Sequence, residues 1–136
     1  MRQKASTITP MTNDGANDAR LSLRVDFDGD TRLGPGKIRL LELVGETGSI
    51  SAAGRAMGMS YRRAWLLIDT LNRYFRRPVV VAQHGGKRGG GATLTAFGAD
   101  LVKRYRQMET VAARSLRTHL RALAAERPGG PGAGRG

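Results

Sequence analysis

The chain has 136 residues, 40% hydrophobic and 25% charged, which suits one globular domain with a real core. It has no cysteine, so disulfides, thiolate metal sites and thiol catalysis are excluded, and a reducing cytoplasmic location fits. The formal net charge is +12; residues 1–36 hold equal numbers of basic and acidic side chains, so the whole excess follows Gly36 and a polyanion, nucleic acid first, is the expected partner.

Residues 1–20 are polar and aperiodic and are predicted to be a disordered arm. The first thirty residues contain no apolar run, so no signal peptide is expected. Leu21, Leu23, Val25 and Phe27 then alternate with polar residues, the pattern of a half-buried strand, and Asp28-Gly29-Asp30 ends it as a turn. Pro35 suits the first turn of a helix whose apolar face is Ile38, Leu41 and Val44, widened by Leu40 and Leu43, with Gly48 closing it. A short second helix follows, with Ser51 as the expected N-cap and Ala52, Ala53, Ala56 and Met57 as small or slender packing residues; Gly58 ends it.

Ser60 is the expected N-cap of a third helix, with a buried stripe at Ala64, Leu67, Ile68, Leu71, Tyr74 and Phe75 and a stop at Pro78. Residues 79–82 and 92–95 read as two strands of a hairpin around a Gly-rich basic loop. No aliphatic run is long enough to cross a membrane, and no membrane partner is expected. From Ala96 to about Arg127 the pattern is one long helix, with Leu101, Tyr105, Met108, Ala112, Leu116, Leu120 and Leu123 stepping by threes and fours. Residues 128–136 are a Gly/Pro tail.

The chemistry concentrates at the start of the third helix, where Ser60, Tyr61, Arg62, Arg63 and Trp65 cluster. Arg62, Leu66, Asp69 and Arg73 lie opposite the buried stripe. Helix, short turn, and a second helix exposing its N-terminal residues is the helix-turn-helix plan, whose arginines can grip guanine while hydroxyls hold phosphates. Trp65 can cap the core from the side or face DNA, and the sequence leaves both open. Arg73, Arg76 and Arg77 can be a solvated helix end that complements the macrodipole. Lys87 and Arg88, on a nearly side-chain-free loop, are candidates for phosphate pairing. That loop lacks the spacing of a nucleotide-binding loop, and His84 and His119 alone offer no metal site. No paired carboxylates, activated nucleophile or cofactor loop stands out, so neither enzyme activity nor a cofactor is expected. A basic interaction module acting through the last helix remains the alternative.

The stretch "GSISAAGRAMGMSYRRAWLLIDTLNR" with the later "GGKRGGGATLTAFG" resembles the winged-helix DNA-binding domain of molybdate-responsive regulators of the ModE type, itself similar to the N-terminal domain of LysR-type regulators. The resemblance covers roughly residues 21–121. It implies a mainly α winged helix-turn-helix over residues 21–95. The helix from Ser60 would be the recognition helix, Gln83–Ala92 the wing, and residues 96–127 a dimerisation helix using the seam above. The implied function is sequence-specific binding of double-stranded DNA by a homodimer that regulates molybdate uptake and molybdoenzyme genes. Family members carry molybdate-binding modules after the dimerisation helix. Here that place holds the Gly/Pro tail, so molybdate binding by this chain is not expected.

Overall fold

The computed structural model describes residues 19–83 and 91–129. Most of the arm and tail assigned above, and the loop with His84, Lys87 and Arg88, lie outside the described residues. The order of elements is β1 (Val25–Asp26), β2 (Arg32–Leu33), α1 (Pro35–Thr47), α2 (Ile50–Ala56), α3 (Tyr61–Tyr74), β3 (Val80–Gln83), β4 (Gly91–Leu94), α4 (Ala96–Ser115) and α5 (Arg117–Ala125). These fall into two compact units, Arg24–Tyr105 and a second that includes the chain from Arg106 onward.

In the first unit the predicted strand is shorter than its alternation suggested. β1 pairs antiparallel with β2, which the sequence did not announce, and only two residues on each side take part. The turn closes through the Phe27 N–H donating to the Thr31 carbonyl at 2.8 Å, and Pro35 opens α1 just after β2, so the partner strand has no room to lengthen. The apolar face of α1 is fully used: Ile38, Leu40, Leu41, Leu43 and Val44 are all buried against α2, α3 and β4.

α2 starts earlier than expected. Ser49, not Ser51, is the N-cap: its Oγ accepts from the Ala52 N–H at 3.0 Å, and Ser51 is already helical. Gly48, left-handed at the end of α1, leaves a single residue to join the helices, and Ser49 is that residue. The turn into α3 hangs on two glycines. Gly58 has φ +73°, a conformation L side chains rarely adopt. A Cβ on Gly54 would stand 3.0 Å from Ala64 Cβ, so bare backbone here sets how closely α2 lies on α3.

α3 is capped as expected, the Ser60 Oγ accepting from the Arg63 N–H at 3.1 Å. It buries Ala64, Ile68 and Leu71, while Tyr74 remains 38% exposed at the edge. Its end is a correction. The helix stops at Tyr74 with Phe75 already extended, well before Pro78. Pro78 bars any continuation, because it has no N–H for the Tyr74 carbonyl four residues back and its ring would clash with it, and tertiary contacts fix the stop at Tyr74. The Phe75 ring meets Phe27, Tyr74 and Phe97 at centroid distances of 5.6, 5.0 and 5.4 Å. The Asn72 side chain bonds the backbone of Val79 and Val80, which turns the chain back along α3.

The hairpin is antiparallel with Val80 opposite Leu94, Val81 opposite Thr93, Ala82 opposite Ala92 and Gln83 opposite Gly91. Each strand is shifted one residue toward the tip from its predicted span. One cause is visible at its base. The Thr95 N–H is spent on the Val79 carbonyl at 2.9 Å, while its Oγ1 caps α4 by accepting from Gly98 N–H at 2.9 Å. The Ala92 N–H donates to the Gly48 carbonyl at 2.9 Å and ties the hairpin to the link between α1 and α2.

The single long helix expected from Ala96 to Arg127 is divided. Leu116 departs to φ −101°, ψ 5°, between α4 and α5, although hydrogen bonds from Leu116 N–H to Ala112 and from Leu120 N–H to Leu116 bridge the distortion. Neither Gly nor Pro marks the place. Tyr105, expected in the seam, is 1% exposed within the single chain, so its ring has no surface left for a partner. In the second unit Glu109 is buried and accepts from the Arg106 guanidinium at 2.8 Å.

Candidate nucleic-acid interface

The amino end of α3 stands clear of the core. Tyr61, Arg62 and Arg63 are exposed, and Trp65 and Leu66 each keep 43% of their surface in solvent. This follows from the cap and the stripe. Ser60 fixes where the helix begins, Ala64 and Ile68 turn inward, and the residues between them must point away. Arg62 and Arg63 make no ion pair with the described residues. Arg73 differs: its guanidinium lies 3.1 Å from the Asp69 carboxylate, one helical turn back. Arg77 lies over the Phe97 ring at 4.8 Å and belongs to the aromatic cluster. Of the cations the sequence grouped here, Arg62, Arg63 and Arg76 have no counter-charge among the described residues, while Arg73 and Arg77 have structural partners.

Trp65 is neither a core cap nor fully exposed. With Tyr61 it walls an open cleft of about 340 Å³ between α3 and the hairpin; β3 and β4 supply the opposite wall through Val80, Ala82, Gly91 and Ala92. Ser49, Ile50, Ser51, Asp69 and Asn72 also line the cleft. Sequence reasoning missed the serines and the hairpin wall. No local signal could have found them, because they come to α3 through the bond between Ala92 and Gly48 and through the hairpin register.

On α4 and α5, Met108, Val111, Leu116 and Leu123 are exposed, Leu123 most at 70%, while Leu101, Ala112 and Leu120 are half-buried. Val111 was not in the predicted seam. Among the described residues there is no group of His, Asp and Glu fit to hold a metal ion, and no helix long and apolar enough to cross a membrane. Lys37 is the one titratable group with a clear shift among those described: partial burial, then the Arg32 charge, lower its pKa from the ordinary 10.5.

Two packed helices around a glycine turn, a third helix beneath them and a hairpin beside the second define a winged helix-turn-helix. Residues 36–99 match the family described as bacterial regulatory helix-turn-helix protein, lysR family. The chain is also similar to a molybdenum-pterin-binding protein, MopB, of Rhodobacter capsulatus, 39% identical over 110 residues, 80% of this chain and 41% of the relative. It is 44% identical over 91 residues to the molybdenum transport protein ModE of Azotobacter vinelandii, 67% of this chain and 33% of that protein. The DNA-binding transcriptional dual regulator ModE of Escherichia coli (strain K12) is 39% identical over 71 residues, 52% of this chain and 27% of that protein. The chain thus spans less than half the length of each of these relatives.

Proposed function

We infer that the protein is a transcriptional regulator that binds double-stranded DNA with the amino end of α3 in the major groove, and that its targets belong to molybdenum metabolism. The observation that carries this reading is the pair Arg62 and Arg63. They are exposed, unpaired with any described carboxylate, and placed where a helix macrodipole disfavours cations. Phosphates and guanine edges would offset that cost. The lysR-family domain and the regulators among the relatives support it. Ser60, Tyr61 and Trp65 stand beside the arginines, and Lys87 and Arg88 join them from the sequence of the hairpin loop as phosphate partners.

The reading includes a homodimer held by the exposed apolar residues of α4 and α5. Two-fold symmetry then places inverted half-sites about 34–36 Å apart, or a multiple of that. The test is binding to genomic duplex fragments across a salt series. Arg62→Ala should cost about 1–3 kcal/mol and relax discrimination at one base position, as loss of a bidentate guanine contact does. Lys87→Ala should weaken all sequences alike and flatten the salt dependence. Salt-insensitive binding by the parent, or an Arg62→Ala variant that binds and discriminates as the parent does, would refute the placement.

A further inference from the structure

The cleft between α3 and the hairpin has a one-sided polar lining. The hydroxyls of Ser51 and Tyr61 and the indole N–H of Trp65 make no hydrogen bond with the described residues, and all three side chains line the same open space. Indole can only donate, and the hydroxyls are free to do so. The acidic residue in the lining, Asp69, is held by Arg73 at 3.1 Å, so its charge is balanced. Gly91 also lines the cleft, and its missing Cβ makes room for the Gly48 carbonyl, which would stand 3.1 Å from a Cβ there. The space of about 340 Å³ is open to solvent, and its lining includes Tyr61 at the start of α3 and Gly91 at the start of β4.

We propose that this cleft seats one phosphodiester of the duplex, with its flanking deoxyribose against the Trp65 ring. The Trp65 indole, the Tyr61 hydroxyl and the Ser51 hydroxyl donate to the phosphate oxygens, and the exposed indole face covers the apolar edge of the sugar. The proposal rests on the DNA-binding reading above and assigns these residues a different duty from the arginines. Their contact is uncharged, so it releases no counterion of its own, and it carries no base identity. It fixes the depth and angle at which α3 enters the groove.

The experiment uses the full chain and labelled duplexes. Trp65→Phe keeps an aromatic face, smaller than the indole, and removes the N–H; Tyr61→Phe removes one hydroxyl; Ser51→Ala, on a different element, removes another. Each should bind every duplex about 3- to 10-fold more weakly, the worth of one hydrogen bond, with an unchanged salt slope. A neutral methylphosphonate at the contacted phosphate should abolish the difference between the parent and Trp65→Phe. Trp65 is the chain's single tryptophan, so its emission reports on the cleft directly. Duplex DNA should change that emission, and inorganic phosphate at matched ionic strength should not.

Failure of the parent to bind any duplex would sink the functional reading itself. If the parent binds and the three variants match it on every sequence, the cleft holds no backbone. A variant that alters base preference rather than overall affinity would make these residues base readers and overturn the proposal. A saturable response to inorganic phosphate would do the same, by making the cleft a site for free anions.

Discussion

Asn72 joins α3 to the hairpin, and replacing it with leucine should loosen that joint. Its Oδ1 accepts the Val79 N–H at 2.7 Å and the Val80 N–H at 3.3 Å, and its Nδ2 donates to the Val80 carbonyl at 3.0 Å. Val79 and Val80 are buried, so water cannot replace these bonds. Leucine keeps the branched skeleton, with larger methyl groups, and removes all three. The short bond to Val79 dominates, because it leaves a buried donor unmet, at about 1–3 kcal/mol. The 3.3 Å bond is long and adds little; the bond to the Val80 carbonyl adds about 1 kcal/mol. The expected loss is therefore about 2–4 kcal/mol, on the order of 10–20 °C in melting temperature for a unit of this size. Urea unfolding followed by Trp65 emission measures it, with an unchanged m-value expected. Asn72→Asp retains the acceptor for Val79 and should fall between the leucine variant and the parent. At temperatures where Asn72→Leu is folded it should also bind all DNA sequences more weakly, through a displaced hairpin. A loss below about 0.5 kcal/mol, the range of an ordinary surface substitution, would refute the assignment of this side chain as the joint.

Replacing Leu123, 70% exposed, and Met108 by aspartate should convert a dimer to monomers without unfolding the first unit, since each buried leucine contributes about 1.5–3 kcal/mol per protomer; sedimentation equilibrium reads this, and a variant that still dimerises like the parent excludes that face. For Lys37 the folded pKa lies below the unfolded one, so the unfolded chain holds more protons between the two values and stability should rise with pH as 10.5 is approached from below. The Lys37→Met variant should lack that rise, and parallel stability–pH curves for it and the parent would refute the link.

Much of the first unit was legible from the residues because its determinants are local. Pro35 and Gly48 bracket α1, Ser60 caps α3, and the spacing of Ile38, Leu41 and Val44 marks a face that must be buried. These signals act within one or two helical turns, the range over which a sequence pattern speaks for itself. The cluster from Ser60 to Trp65 was legible for the same reason: once the cap and the inward stripe are fixed, the outward residues follow.

Other features depended on partners far along the chain. Ser49 outcompeted Ser51 as a cap because Gly48 ended α1 one residue earlier, a choice between two locally equivalent serines. Pro78 bars α3 from continuing, but the stop itself was set by Asn72 and by the rings around Phe75, whose partners Val79, Phe27 and Phe97 lie beside β3, beside β1 and in α4. Tyr105 looked like one more rung of a seam, since periodicity gives the face a residue lies on and not what covers it.

By itself, then, the sequence determined α1 and the start of α3, the turn glycine, the outward arginines and the excess of positive charge, all carried by neighbours in the chain and by composition. Only the tertiary structure decided which arginines keep no counter-charge. It alone placed Ser51 and Gly91 beside Trp65, through a hydrogen bond from Ala92 to Gly48. Such a cleft depends on the register of two strands and the approach of one backbone to another, and no window of sequence encodes either, because the groups that fix them meet only when the chain has closed.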